Sequence, residues 1–180
     1  MVYYTVVRRD SDSRAAKDAA KAAGLSLLLP LFGLDGNTPL MKDESGRPFL
    51  EGAPKMGISC SHAYPFTVVA ISSRPVGVDL ETEAAIRDPE RLSARFFTEE
   101  EQRALAISND KRLTALSVWT RKEAVGKYYG DGLAAHISSC TSKPPEETAF
   151  YEEQWVHENC RYILTFCAHE SPSFVSFFEK

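Results

Sequence analysis

Gly77-Val78-Asp79-Leu80-Glu81 alternates apolar and acidic side chains with a period of two. In an extended strand, successive side chains point to opposite faces. Val78 and Leu80 therefore share one face and pack inward, while Asp79 and Glu81 share the other. Two carboxylates side by side on one strand face repel each other, so they either stand in water or flank a positive charge. Hard carboxylate oxygens suit Mg²⁺, which keeps several waters and takes one or two carboxylates together with substrate phosphates. Taken alone, the D-x-E pattern also fits a solvated strand edge.

The neighbouring residues set this strand in an α+β chain. Residues 57–61, 66–72 and 76–81 are short β-branched runs separated by turn residues and predict three strands. Residues 2–7 predict a first strand. Ser11 or Ser13 is placed to cap a helix through the alanine-rich run 15–23, with Gly24 as its stop. Residues 35–54, dense in Gly, Pro, Asp and Asn, predict a loop. Downstream, Asp88-Pro89-Glu90 opens a helix and Thr98-Glu99-Glu100-Glu101 opens another with the pattern of a capping box. Asp110 starts a long helix that reaches Tyr129 and ends at Gly130 and Gly132. Residues 138–148 read as a polar linker, and residues 150–155, 162–168 and 174–178 as antiparallel strands. Strands on either side of a helical middle predict an α+β fold.

Three further groups carry chemistry. In Trp119-Thr120-Arg121-Lys122-Glu123-Ala124-Val125-Gly126-Lys127, residues 119, 123 and 127 fall at i, i+4 and i+8, close to one helix face. Glu123 could complete a metal site, and Lys127 could reach a phosphate oxygen as a compact charge; an exposed Glu–Lys pair is the plainer alternative. Trp119 on the same stripe points to partial burial. Ser61-His62 stands at a predicted strand end, where a hydroxyl and an imidazole can donate to phosphate. Gly46-Arg47-Pro48 offers an arginine held between two turn formers, a phosphate clamp or an ordinary turn. Cys60 with His62 could suggest a thiol–imidazole nucleophile, but Cys60 alternates with Ile58 and reads as a small packed residue.

Composition bounds these readings. The chain has 180 residues, 43% hydrophobic and 26% charged, enough for one domain or two small lobes sharing a core. A formal net charge of −4 gives no general nucleic-acid surface. The longest apolar run, residues 25–34, contains Pro30 and Gly33 and is too short to span a bilayer. Residues 1–7 read as a buried strand rather than a signal peptide. Cys60, Cys140, Cys160 and Cys167 form no C-x-x-C pair, which argues against zinc and for free thiols in a reducing cytoplasm.

In this order, G-R-P, S-H, G-V-D-L-E and W-T-R-K-E-A-x-x-K, the motifs resemble the 4′-phosphopantetheinyl transferase superfamily, most closely the surfactin-synthetase-activating type in which both halves lie in one chain. The resemblance runs from about Ser45 to Leu133, and more loosely through the tail. The paired signatures GVDLE and WTRKEAVGK are its specific part.

The resemblance implies an α+β fold of two similar lobes related by a pseudo-twofold axis, with coenzyme A in the cleft between them. The chain would be a single unit over residues 1–180, with an N-terminal lobe of about 1–75 and a C-terminal lobe of about 76–180. It implies Mg²⁺ (Mn²⁺ as a substitute) held by Asp79, Glu81 and Glu123 against the coenzyme A diphosphate. Ser61 and His62 would contact the nucleotide's phosphates, Arg47 would sit near the adenosine end, and Lys127 would bind the diphosphate or the leaving group. The reaction implied is transfer of 4′-phosphopantetheine from coenzyme A to a serine of an apo acyl or peptidyl carrier protein, with release of 3′,5′-ADP. Glu123 is the candidate acceptor of the serine proton, directly or through water. A cytoplasmic monomer, with no nucleic-acid or membrane partner, completes the expectation.

Relative to the usual single-chain members this chain is shorter before Gly46. Only Arg14, Lys17 and Lys21 on the alanine-rich helix are available there for the nucleotide's 3′-phosphate. Two other readings use the same residues. A Mg²⁺-dependent phosphodiesterase or nuclease could employ two acids and a lysine around a metal, but the chain lacks a basic patch with interleaved aromatics. A non-catalytic module could keep the fold and only dock a carrier protein, although Asp79, Glu81, Glu123 and Lys127 are all retained.

Overall fold

Alternating apolar residues in the first and fifth strands build the centre of the molecule. A computed structural model describes residues 1–44, 46–130 and 142–179. The strands are β1 (Val2–Arg8), β2 (Leu40–Lys42), β3 (Pro48–Leu50), β4 (Gly57–Ala63), β5 (Phe66–Ser72), β6 (Gly77–Thr82), β7 (Ala149–His157), β8 (Cys160–Ala168) and β9 (Ser173–Glu179). The helices are α1 (Arg14–Leu28), α2 (Pro89–Phe96), α3 (Glu99–Ala106) and α4 (Lys111–Tyr129). Among the described residues the strands form a four-stranded sheet ordered β4-β5-β1-β9, a three-stranded sheet ordered β6-β8-β7, and the small β2-β3 hairpin.

The two larger sheets share one apolar core. Tyr4, Val6 and Val68 from the first meet Val78, Leu80 and Phe166 from the second. The inward face expected of Val78 and Leu80 is the one observed. On the outer face of the four-stranded sheet, Leu25 and Leu28 of α1 pack on Val69 and Ile71. On the outer face of the three-stranded sheet, α4 packs through Leu116 on Ile163 and through Ala124 and Val125 on Cys167. Asp79 and Glu81, on the face opposite Val78 and Leu80, therefore look toward α4.

The helix starts follow the caps in the sequence. Ser13 caps α1, Asp88 caps α2, and Thr98 with Glu101 forms a complete capping box on α3. Asp110 caps α4, and Gly130, at φ 83°, ends it in the left-handed conformation. Among the described residues no helix is long and apolar enough to cross a membrane.

Three expectations are corrected. Gly24 lies inside α1 instead of stopping it; a Cβ there would stand 2.7 Å from Val69 Cγ2, so the glycine serves close helix–sheet packing. The stretch read as loop contains the β2-β3 hairpin, in which Leu40 pairs with Leu50 and Lys42 with Pro48. The tail is not all antiparallel. β7 and β8 pair antiparallel, but β9 returns to the first sheet and runs parallel to β1. Residues 142–148 of the expected linker form bends and turns. Gly132, Leu133, Cys140 and the start of that linker lie outside the described residues.

Candidate metal and diphosphate site

β6 and α4 touch at Gly77. A Cβ on that residue would lie 1.8 Å from Ala124 O and 2.6 Å from Tyr128 N, so any side chain there pushes the helix off the strand. This contact brings the C-terminal half of α4 over β6. Glu123 and Lys127, four residues apart and on one helix face, are thereby carried to Asp79 and Glu81.

Asp79 is 3% exposed. Its Oδ1 accepts from Lys127 Nζ at 2.8 Å and from Ser61 Oγ at 2.8 Å, and Lys127 Nζ also donates to Ser61 Oγ at 2.9 Å. Its Oδ2 is buried without a hydrogen-bond partner. Burial, and then the neighbouring Asp79 charge, push the Glu81 carboxyl up to about 7. Burial, then Asp79, with Glu81 adding to it, push the Glu123 carboxyl up to about 8. Lys127 opposes the rise in both. Asp79 thus acts on both glutamates, Glu81 acts on Glu123, and one lysine stands among them.

This arrangement fits a hard divalent cation. The donors are carboxylate oxygens, one of them buried and orphaned, and the excess of negative charge is local and partly desolvated. Among the described residues, no group of three or more His, Cys, Asp and Glu side chains stands close enough together to hold a metal ion by itself. Mg²⁺ takes one or two carboxylates and completes its shell with water and substrate phosphate.

Beside the acids lies a cavity of about 280 Å³ whose charged lining is basic: Lys21, Lys42, Arg47 and Lys127. Lys127 belongs to both places. Arg47 rests against Gly130 and points Nη1 toward Tyr129 O at 3.5 Å, which ties the loop after β2 to the end of α4. Leu40, Ile58 and Cys60 supply an apolar floor. The Cys60 thiol is pushed up to about 11 by burial, against the pull of Lys21 and Lys127, which fits a packed side chain and not a nucleophile. His62 departs from the group. Ser61 is buried and faces Asp79, whereas His62, on the opposite face of β4 with Ile58 and Cys60, is exposed. Its imidazole is held below the usual histidine range by partial burial first, then by Lys17, Arg9 and Lys127.

Residues 75–176 match the 4′-phosphopantetheinyl transferase superfamily. The chain belongs to that superfamily. Its GVDLE strand and its WTRKEAVGK helix, the two halves of the acidic site, both fall inside the matched region. Among curated members, a 4′-phosphopantetheinyl transferase of Bacillus subtilis is 29% identical over 156 residues, covering 84% of this chain and 64% of the relative. The transferase psf-1 of Bacillus pumilus is 30% identical over 119 residues, 65% of this chain and 47% of its own length. The transferase gsp of Aneurinibacillus migulanus is 31% identical over 120 residues, 65% of this chain and 49% of its own. The chain thus spans about half to two thirds of the length of these superfamily members.

Several residues in and around this site escape sequence reasoning. Lys42 lay in a stretch read as loop; its place opposite Pro48 in a hairpin turns it toward the cavity. Ser59 accepts from Val78 N at 2.9 Å and binds β4 to the edge of β6. Lys122, beside Glu123, is fully buried against Glu101 with 2.9 Å between the charges. Glu101 also accepts from Thr98 N and Ser142 N, so one carboxylate joins α3, α4 and the returning chain. The capping-box pattern was the one available signal for Glu101.

Proposed function

We propose that this protein transfers the 4′-phosphopantetheine group of coenzyme A to a serine of an apo acyl or peptidyl carrier protein, with Mg²⁺ bound at Asp79, Glu81 and Glu123, and releases 3′,5′-ADP. The observation that carries the proposal is the position of Lys127, which touches Asp79 and at the same time lines the basic cavity. A diphosphate in that cavity would meet cations on one side and the acidic cluster on the other. The names of the superfamily relatives support the same chemistry.

The divalent cation, when bound, neutralises the diphosphate and offsets the repulsion among the three carboxyls. The chain's own residues do the rest. Arg47, Lys21 and Lys42 hold coenzyme A by its phosphates, Lys17 extends the basic rim along α1, and His62 beside it offers a neutral imidazole donor. Lys127 meets the charge that builds on the phosphoryl oxygens as the carrier serine attacks and the P–O bond to 3′,5′-ADP breaks. Glu123 takes the serine proton. With the cation in place the carboxylate is ionised and free to accept, directly or through water.

A second cavity fits the acceptor. Arg87, Arg91 and Arg95 stand in a row along and before α2 and line a groove of about 310 Å³ with Ile86, Leu92 and Phe96, where Asp88 is the one acid in the lining. Carrier proteins present the modified serine at the start of an acidic helix, and a cationic, apolar groove complements such a surface although the chain as a whole is acidic. The division into lobes of about 1–75 and 76–180 is part of the proposal, as is a monomer working in the cytoplasm, where thiols such as Cys60, Cys160 and Cys167 stay free.

The test is intact-mass analysis of a panel of apo carrier proteins incubated with this protein, coenzyme A and Mg²⁺. A gain of one phosphopantetheine per carrier, lost on chelation, supports the proposal; unmodified carriers across fatty-acid, polyketide and peptide types refute it.

A further inference from the structure

The resemblance sets Ser61 against the nucleotide's phosphates, but its surroundings describe a different task. Ser61 is 6% exposed and Asp79 is 3% exposed, so their contact is made away from solvent. A lysine ammonium can only donate and an ionised carboxylate can only accept. The Ser61 hydroxyl therefore accepts from Lys127 Nζ and gives its proton to Asp79 Oδ1. Its donor is spent on the aspartate and one of its two lone pairs on the lysine. Oδ1, with two donors, is saturated, while Oδ2 is buried and has none. The hydroxyl, together with the ammonium it also binds, thus fixes which oxygen of Asp79 stays available. Ser59, two residues back on the same face of β4, accepts from Val78 N and holds the backbone of β6 in register with this contact.

We infer that Ser61 is a positioning residue for the metal site: it pins Asp79 through Oδ1 so that Oδ2 is presented to a divalent cation. This rests on the metal-site reading above and deepens it. A hydroxyl that orients a ligand in this way acts on the cation in the absence of any nucleotide, whereas a phosphate contact acts on coenzyme A. Partners that orient a ligand are commonly worth about 10–100-fold in metal affinity.

The two roles separate in one experiment. Mn²⁺ binding is titrated by electron paramagnetic resonance without coenzyme A, and KM for coenzyme A is measured at saturating Mg²⁺, for the wild-type chain, Ser61→Ala and Ser61→Thr. The inference requires Ser61→Ala to bind Mn²⁺ roughly tenfold more weakly or worse, with KM for coenzyme A little changed, and Ser61→Thr, which keeps the hydroxyl, to recover the affinity. If Ser61→Ala fails to fold, as judged by its thermal transition, Ser61→Cys, close in volume but a weak donor, must show the same loss. A wild-type Mn²⁺ affinity in these variants, with a raised KM for coenzyme A, overturns the inference and leaves the proposed function standing. A wild-type chain that neither binds Mn²⁺ nor modifies a carrier overturns both.

Discussion

Lys127 Nζ donates to Asp79 Oδ1 across 2.8 Å, joining the last turn of α4 to the middle of β6 over a sequence separation of 48 residues. The contact sits where an acidic cluster meets a basic cavity. A lysine in that position keeps two incompatible surfaces apart until a ligand that carries both a cation and phosphates can fill them. Asp79 raises the proton affinity of Glu81 and Glu123, and Lys127 opposes it.

Removing an acid from the cluster removes the place for the cation. Asp79→Ala and Glu123→Gln should abolish phosphopantetheine transfer and leave the thermal transition in place. Turnover by either folded variant, followed by carrier mass, contradicts the assignment of these groups.

Lys127→Ala should slow turnover by about 2–4 kcal/mol of transition-state stabilisation, taking one lost oxyanion-type contact as the analogue. Single-turnover rates at saturating coenzyme A read this directly. A near-normal rate would place the ammonium away from the reacting phosphate.

Protonation gives a signature without catalysis. Glu81 and Glu123 hold their protons to about 7 and about 8 in the fold, against an ordinary 4.5 in the open chain. Between those limits the folded state binds more protons than the unfolded state, so stability falls as pH rises. In chelator, the contribution of these groups should be fullest below pH 4.5 and lost through about pH 7 and 8, with a flatter profile for Glu123→Gln. Mg²⁺ should restore stability at the alkaline end and release protons as it binds. Melting temperatures across pH check the sign; stability rising with pH through this window, or the same slope in Glu123→Gln, goes against it.

Gly77→Ala adds one methyl group where strand and helix backbones meet. Overpacking of a filled site costs about 1–3 kcal/mol, and here the obstacle is backbone, with Ala124 O at 1.8 Å from the new atom. The variant should melt lower and lose transfer beyond what its remaining folded fraction explains, because α4 carries Glu123 and Lys127 away from β6. Full activity in the folded fraction would show that the contact does not set the site.

At the acceptor surface, Arg91→Glu with Arg95→Glu should raise KM for an acidic carrier several-fold and remove its salt dependence, while KM for coenzyme A stays put. Steady-state kinetics at two ionic strengths make the comparison. Unchanged carrier kinetics would place the acceptor elsewhere.

The local parts of the fold were legible because their causes are local. Val78 and Leu80 against Asp79 and Glu81 is a statement about one strand, and it holds in the structure. The caps at Ser13, Asp88, Thr98 and Asp110 are likewise short-range. What escaped was set by partners far along the chain. Gly24 looks like a helix stop until Val69 is seen against it, and Gly77 looks like a strand opener until α4 arrives. Lys122 reads as one more surface charge, since nothing nearby in sequence announces Glu101 as its buried partner. The same limit applies in the site. Spacing suggested that Glu123 and Lys127 share a helix face, but the triangle of Ser61, Asp79 and Lys127 needs three elements packed together.

Isothermal titration of coenzyme A, with and without Mg²⁺, into the wild-type chain and Asp79→Ala measures whether acids, cation and diphosphate act as one assembly. The account predicts tight binding that needs the metal and collapses in the variant. Equal binding with and without Mg²⁺, unchanged by the loss of Asp79, would contradict it.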